Sequence, residues 1–162
     1  MIEKVISGAQ TGADRGGLLA AKALGIPTGG WCPRGRLAED GVIPAEFNTL
    51  QETLTPDYPT RTEWNVRDSD ATVLFTWGIR LTPGSRLTEN LAKRYDKPIS
   101  RFDIKDADED GVATIIKVFL EHVDAKVVNI AGSRESKAPG IQAKVERILR
   151  LALAKPERNE VE

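Results

Sequence analysis

Short β-branched runs that stop at a glycine or a polar residue alternate along this chain with longer stretches whose apolar residues recur at helical spacing. Lys4-Val5-Ile6-Ser7-Gly8 predicts a strand, and Asp14 to Leu24 predicts a helix that closes at Gly25. Residues 26 to 48 are rich in glycine, proline and charge and leave room only for a brief strand near Thr28 to Trp31, so a long loop of functional character is expected there. Tyr58 to Arg67 has helical potential with Pro59 near its first turn. Ala71 to Trp77 is the clearest strand, nearly continuous in apolar and β-branched residues as a strand buried on both faces must be. Helical spacing resumes from Ser85 to Tyr95, and Lys97 to Phe102 reads as a strand. Val112 to Val123 is amphipathic, Lys126 to Gly132 is a strand that again stops at glycine, and the final helix runs from Gly140 to Ala154. Strands alternating with helices of this length imply parallel pairing and right-handed crossovers. The pattern therefore predicts one α/β domain over residues 1–154 with a mainly parallel central sheet, followed by a frayed polar tail at 155–162.

Composition narrows what such a domain can do. A formal net charge of −1 lacks the basic excess of a duplex-binding surface, so no nucleic acid is expected as partner. No apolar run approaches the roughly 20 residues that span a bilayer, and the first residues lead straight into a strand pattern rather than a leader, so no membrane partner and a cytoplasmic home are expected. Cys32 is the only cysteine and His122 the only histidine, which excludes a disulfide framework and a Cys/His zinc site within one chain. His122 falls at the end of a predicted helix, where an imidazole suits the unpaired carbonyls. Any chemistry is left to carboxylates, hydroxyls, backbone amides and arginines, or to a cation held by oxygen ligands, and no protein-ligated metal is expected.

Three predicted strands break in the same chemical manner, at Gly8-Ala9-Gln10-Thr11-Gly12-Ala13-Asp14, at Pro83-Gly84-Ser85-Arg86-Leu87-Thr88 and at Gly132-Ser133-Arg134-Glu135-Ser136. Glycine lets the backbone turn with its amides outward, and the helix that follows presents unpaired N–H groups with partial positive charge, which favours phosphate or carboxylate. In an open parallel sheet all three turns lie on one edge, beyond the carboxyl ends of the strands, so a small anionic ligand is expected there. The plainer alternative is loop chemistry alone, with Ser85 and Asp14 as helix N-caps worth about 1 kcal/mol each. The first turn has neither the spacing of a dinucleotide fingerprint nor the Lys-Ser/Thr pair of a triphosphate loop, which argues against a dehydrogenase or an ATPase.

Through Gly8 to Arg15, Gly29 to Arg36, Ala38 to Gly41, Arg61 to Asp70, Gly84 to Thr88 and Asn129 to Ser136, the chain resembles the putative molybdenum carrier family, a YpsA-related branch of the lonely-guy-like (SLOG) Rossmannoid superfamily. The resemblance covers nearly the whole chain. It implies a three-layer αβα Rossmann-like fold with a pocket for a nucleotide-like or pterin-like ligand. Molybdenum cofactor (molybdopterin) is the candidate that the family name suggests. The wider superfamily also includes enzymes that cleave nucleoside monophosphates to free base and ribose phosphate, using a PGGxGTxxE turn. Here that turn reads Pro83-Gly84-Ser85-Arg86-Leu87-Thr88-Glu89-Asn90-Leu91, so Leu91 stands where those hydrolases have their glutamate, and Glu89 is turned about 200° from that helix face. Asp14, Glu63 or Asp70 would have to replace the missing acid.

The first expectation is thus a binding protein, in which the turns at Gly8, Gly84 and Gly132, with Thr11, Ser85, Thr88, Arg61 and Arg134, hold a phosphorylated ligand while Trp31 covers its ring. Gln10, Gly12, Asp14, Arg15, Gly30, Asn65 and Ser133 complete the expected ligand shell, with Arg61 and Asn65 on one helix face. Arg67 is expected to be either solvated or paired with the neighbouring Asp68 or Asp70, and Cys32 to be either a small buried hydrophobe or a reactive ligand. The alternatives are a nucleoside monophosphate N-glycosidase and a sensor whose assembly changes when a nucleotide binds. A homodimer or higher homo-oligomer is expected.

Overall fold

The computed structural model describes residues 1–157. The chain runs through β1 (Lys4–Ile6), α1 (Ala13–Ala23), β2 (Thr28–Gly29), β3 (Trp31–Cys32), β4 (Leu37–Ala38), β5 (Gly41–Val42), β6 (Gln51–Glu52) and α2 (Tyr58–Arg67). It continues through β7 (Ala71–Thr76), α3 (Pro83–Arg94), β8 (Ile99–Asp103), α4 (Glu109–His122), β9 (Val127–Gly132) and α5 (Ile141–Leu153). Five of the strands form one sheet in the order β2-β1-β9-β7-β8, every neighbouring pair parallel. Helices α1, α4 and α5 cover one face and α2 and α3 the other, the three-layer arrangement expected of strands alternating with helices. Part of the tail expected at 155–162, residues 158–162, lies outside the described residues. No helix among the described residues is long and apolar enough to cross a membrane.

The two faces of the sheet are unequal. All six residues of β7 are buried, and its alternate residues Ala71, Val73 and Phe75 join Val5, Val128 and Ile130 in one core with Ile116 of α4 and Val145, Ile148 and Leu149 of α5. On the opposite face Asn129 donates to Thr72 Oγ1 at 3.2 Å, and only a small cluster around Val66, Leu91 and Ala92 seals α2 and α3. The order of the strands places a switch point between β9 and β7. Counted from β9 and continued from α5 into β1, the strands β9, β1, β2, β7, β8 become 1 to 5 and the sheet reads 3-2-1-4-5, the doubly wound order.

Helices α3 and α4 start ahead of the apolar periodicity because polar caps set them. Thr82 accepts from the Ser85 amide at 3.2 Å and α3 begins at Pro83, so Thr82 is the cap and Ser85 is not. Asp108 likewise accepts from the Gly111 amide at 2.9 Å, and α4 begins at Glu109. Asp14 is not a cap either: Gly12, with φ +85°, occupies that position in α1. His122 is the last residue of α4, as its charge preference predicts.

The stretch at 26–48 is folded more than its composition suggests. Gly30 divides the expected strand into β2, on the main sheet, and β3, which pairs with β6, while β4 and β5 form an antiparallel ribbon. Ala9, Leu18, Cys32, Ala38, Ile43 and Phe47 pack under it as a satellite core, and burial raises the Cys32 thiol pKa above its ordinary value. Truncating Phe75, fully buried, to alanine is expected to lower stability by about 3–5 kcal/mol in urea denaturation, whereas Ile115→Ala on the exposed side of α4 stays within about 0.5 kcal/mol.

Candidate functional site

A cleft of about 490 Å³ opens at the carboxyl ends of β1, β9 and β7, between α2 and α3, where the switch point lies. Gly8, Gly84 and Gly132 all line it, so the three glycine turns do meet at one place. Gln10, Asp14, Arg61, Asn65, Ser85, Thr88 and Arg134 line it as well. Tyr58 and Lys137 line it without having been singled out from the sequence.

The turns meet, and several backbone amides of the first and third are already hydrogen-bonded within them. Ala9 donates to Ser7 Oγ at 3.2 Å, Gln10 to Asp14 Oδ2 at 3.2 Å and Thr11 to Gln10 Oε1 at 3.1 Å. Ala13 donates to the Ser133 carbonyl at 3.1 Å, Ser133 to the Phe75 carbonyl at 3.1 Å, and Glu135 to Thr11 Oγ1 at 3.2 Å. A buried N–H without a partner costs about 1–3 kcal/mol, and turns packed this tightly satisfy their own donors. These donors of the first and third turns are therefore used within a self-bonded frame, and cationic side chains add positive charge to the cleft.

Those side chains number three cations against one carboxylate: Arg61, Arg134 and Lys137 against Asp14. Tyr58 organises two of them, with the Arg61 guanidinium 5.3 Å and the Arg134 guanidinium 5.0 Å from its ring centroid. Arg61 also donates to the Tyr58 carbonyl and pairs with Asp14 Oδ2, each at 3.2 Å. Arg134 has no ion pair or hydrogen bond from its side chain among the described residues, so its fork of donors is free for a planar or tetrahedral anion. At the start of α3, Thr82 donates to Ser85 Oγ at 3.1 Å, which leaves the Ser85 hydroxyl proton to donate elsewhere, and Thr88 donates back to the Gly84 carbonyl at 3.0 Å.

Asp14 is only 7% exposed, and burial raises its pKa above the ordinary carboxylate value, with Arg61 and then the Gln10 amide pulling it back. Its carboxylate joins the first turn of α1 to α2, so the floor and one wall of the cleft are pinned by the same group.

Several expected site residues are placed elsewhere. Trp31 does not cover the cleft: its indole donates to Asp68 at 2.7 Å and its ring meets Trp64 edge-on at 4.7 Å. Asn65 holds it there, accepting from the Trp31 amide at 2.8 Å and donating to the Trp31 carbonyl at 2.9 Å, which occupies both ends of the Asn65 amide although the residue borders the cleft. Gly30 lies against Ser7 and Asn65, where a side chain would not fit. Arg15 is bidentate to Asp40 at 2.7 and 2.9 Å and donates to the Ala9 carbonyl, so it ties the β4–β5 ribbon to α1. Thr11 and Ser136 both donate to Glu39, whose carboxyl these bonds keep ionised below its ordinary range. Gly12 and Ser133 form the frame where the first and third turns touch. Arg67 pairs with Asp68, as expected.

An α/β domain with a parallel sheet between two helical layers and a cleft at its switch point is Rossmann-like in form. The chain belongs to the circularly permutated YpsA SLOG family, whose pattern it matches over residues 5–153. Counted from β9, the sheet shows one of the doubly wound strand orders, in keeping with a permuted member of that family. A solved structure from Syntrophus aciditrophicus SB, named "Putative molybdenum carrier protein", is 45% identical, with a TM-score of 0.90 over 94% of this chain and 96% of that one. No curated protein matches the chain. The fold and family together support a ligand-binding role for the cleft.

The raised Asp14 pKa has a signed consequence. Its contribution to stability is fully present below the ordinary value of 3.8 and is lost as pH rises through the raised value, because ionising the buried carboxyl is what the fold resists. The stability of the wild type minus that of Asp14→Asn is therefore expected to fall as pH is raised from below 3.8 and then to level off. Denaturant melts of both proteins across that range measure it, and a difference that does not change with pH contradicts the assignment.

Proposed function

We propose that the cleft binds a phosphorylated small molecule of nucleotide or pterin type and that the chain acts as its carrier. The observation that carries this reading is the free Arg134 guanidinium, lying on Tyr58 beside Lys137 and opposite the hydroxyl-bearing start of α3. An arginine held on an aromatic ring has already lost much of its rotamer freedom, so an incoming phosphoryl group meets a pre-set donor fork. The name of the Syntrophus protein suggests molybdenum cofactor as cargo. Arg61, Arg134 and Lys137 suit the phosphate of such a pterin. Among the described residues no group of three or more His, Cys, Asp or Glu comes together that could hold a metal ion.

Calorimetric titration with AMP, GMP and molybdopterin tests the proposal. Arg134→Ala is expected to weaken binding roughly 10- to 100-fold, the loss of about 1.5–3 kcal/mol from a charged hydrogen bond, whereas Arg101→Ala, which breaks only a half-exposed pair with Glu89, leaves it unchanged. Equal affinities for wild type and Arg134→Ala would remove the central role given to that guanidinium.

One observation favours a second reading, hydrolysis of the N-glycosidic bond of a nucleoside monophosphate. Of the three acids able to replace the missing glutamate, Asp14 lines the cleft, while Glu63 accepts from the Tyr95 hydroxyl and Asp70 from the Lys126 and Val127 amides at the opposite end of β9. Leu91 is buried against Val66 and Glu89 turns to Arg101, so neither serves. If this reading holds, AMP or GMP incubated with the protein releases free base and Asp14→Asn abolishes the release. Nucleotides recovered intact after long incubation leave binding alone.

A further inference from the structure

Gln10 is 4% exposed and lines the cleft, and its Nε2 is the single buried side-chain nitrogen or oxygen among the described residues that has no hydrogen-bond partner. The amide cannot relieve this by flipping. Its Oε1 accepts from the Thr11 amide at 3.1 Å and from the Glu39 amide at 2.8 Å, so a flipped group would set its NH2 against two backbone donors. Nor do the neighbouring acceptors turn toward it: Asp14 Oδ2 is held by the Gln10 backbone amide and Arg61, and Glu39 by Thr11 and Ser136. A buried donor left without an acceptor costs free energy, and because Nε2 exposes almost no surface in this structure, an acceptor arriving with the ligand reaches it as the surrounding cleft side chains shift.

We propose that Gln10 is a specificity-determining residue whose Nε2 donates a hydrogen bond to an acceptor oxygen or ring nitrogen of the bound anion. This rests on the cleft being the anion site, and it deepens that reading: the guanidiniums supply charge attraction that any phosphate would feel, whereas Gln10 adds a demand for an acceptor at one fixed point. A molecule that presents a donor or an apolar group there leaves the amide unpaired and is discriminated against. The acceptor belongs either to the phosphoryl group or to the body of the ligand.

Side-chain amide resonances of ¹⁵N-labelled full-length protein separate these cases during titration with inorganic phosphate and, in parallel, with AMP and GMP. The Gln10 signal is assigned from its loss in Gln10→Ala, and Gln51 and Gln142 serve as internal controls. One Gln10 NH2 proton is expected to move downfield on saturation while both control pairs hold still. A shift already complete with phosphate places the acceptor on the phosphoryl group, and a shift seen only with the nucleotides places it on the body of the ligand. Binding registered by calorimetry with the Gln10 protons unmoved overturns this proposal alone. No binding of any probe overturns the anion-site reading and this proposal with it.

Discussion

The contact between the β1–α1 turn and the β9–α5 turn fixes the geometry on which the cleft depends. Ala13 donates to the Ser133 carbonyl, Ser133 in turn donates to the Phe75 carbonyl at the end of β7, and Glu135 reaches back to Thr11. The carboxyl ends of three adjacent strands are thereby bolted together. Gly12 lies so near the Ser133 carbonyl and the Glu135 amide that no side chain fits between them. The frame uses several amides of the first and third turns, and it gives the charged side chains around it a rigid base.

Charge is then arranged by desolvation. Asp14 and Arg61 are both mostly buried, and their pairing does not neutralise the cleft, because Arg134 and Lys137 remain on its other wall. Removing either member of a buried pair strands the other, so Asp14 and Arg61 are bound to one another structurally before any ligand arrives. Arg134 differs: a cation–π contact holds it without discharging it. The cleft thus separates an arginine that maintains shape from one free to bind, although both rest on the same tyrosine.

The alternation of strands and helices was legible in the sequence because each element carries its own period, and so was the meeting of Gly8, Gly84 and Gly132, because parallel strands must send their carboxyl ends to one edge. The use of the amides was partly legible too: Ser7, Gln10 and Asp14, the side chains that take them, lie within or beside the first turn, where short polar groups compete for backbone donors. Tyr58 was not legible, since the arginines on its ring come from its own helix and from the distant β9–α5 turn, and no local pattern joins them. The displacement of Trp31, Arg15 and Thr11 from the cleft has the same origin. Their partners Asp68, Asp40 and Glu39 sit in other elements, and a charged residue in a loop gives no sign of which arginine or indole it will meet.

The unequal faces of the sheet explain why the cleft tolerates a permuted chain. The apolar core lies under α1, α4 and α5. α1 packs along α5, and Ala20 and Val145 belong to the same core, so burial holds these two helices together. The cleft opens on the other face, where Thr72 and Asn129 leave the sheet polar and α2 and α3 do not close over it. The site at the switch point between β9 and β7 therefore depends on which strands are neighbours and not on the order in which the chain visits them.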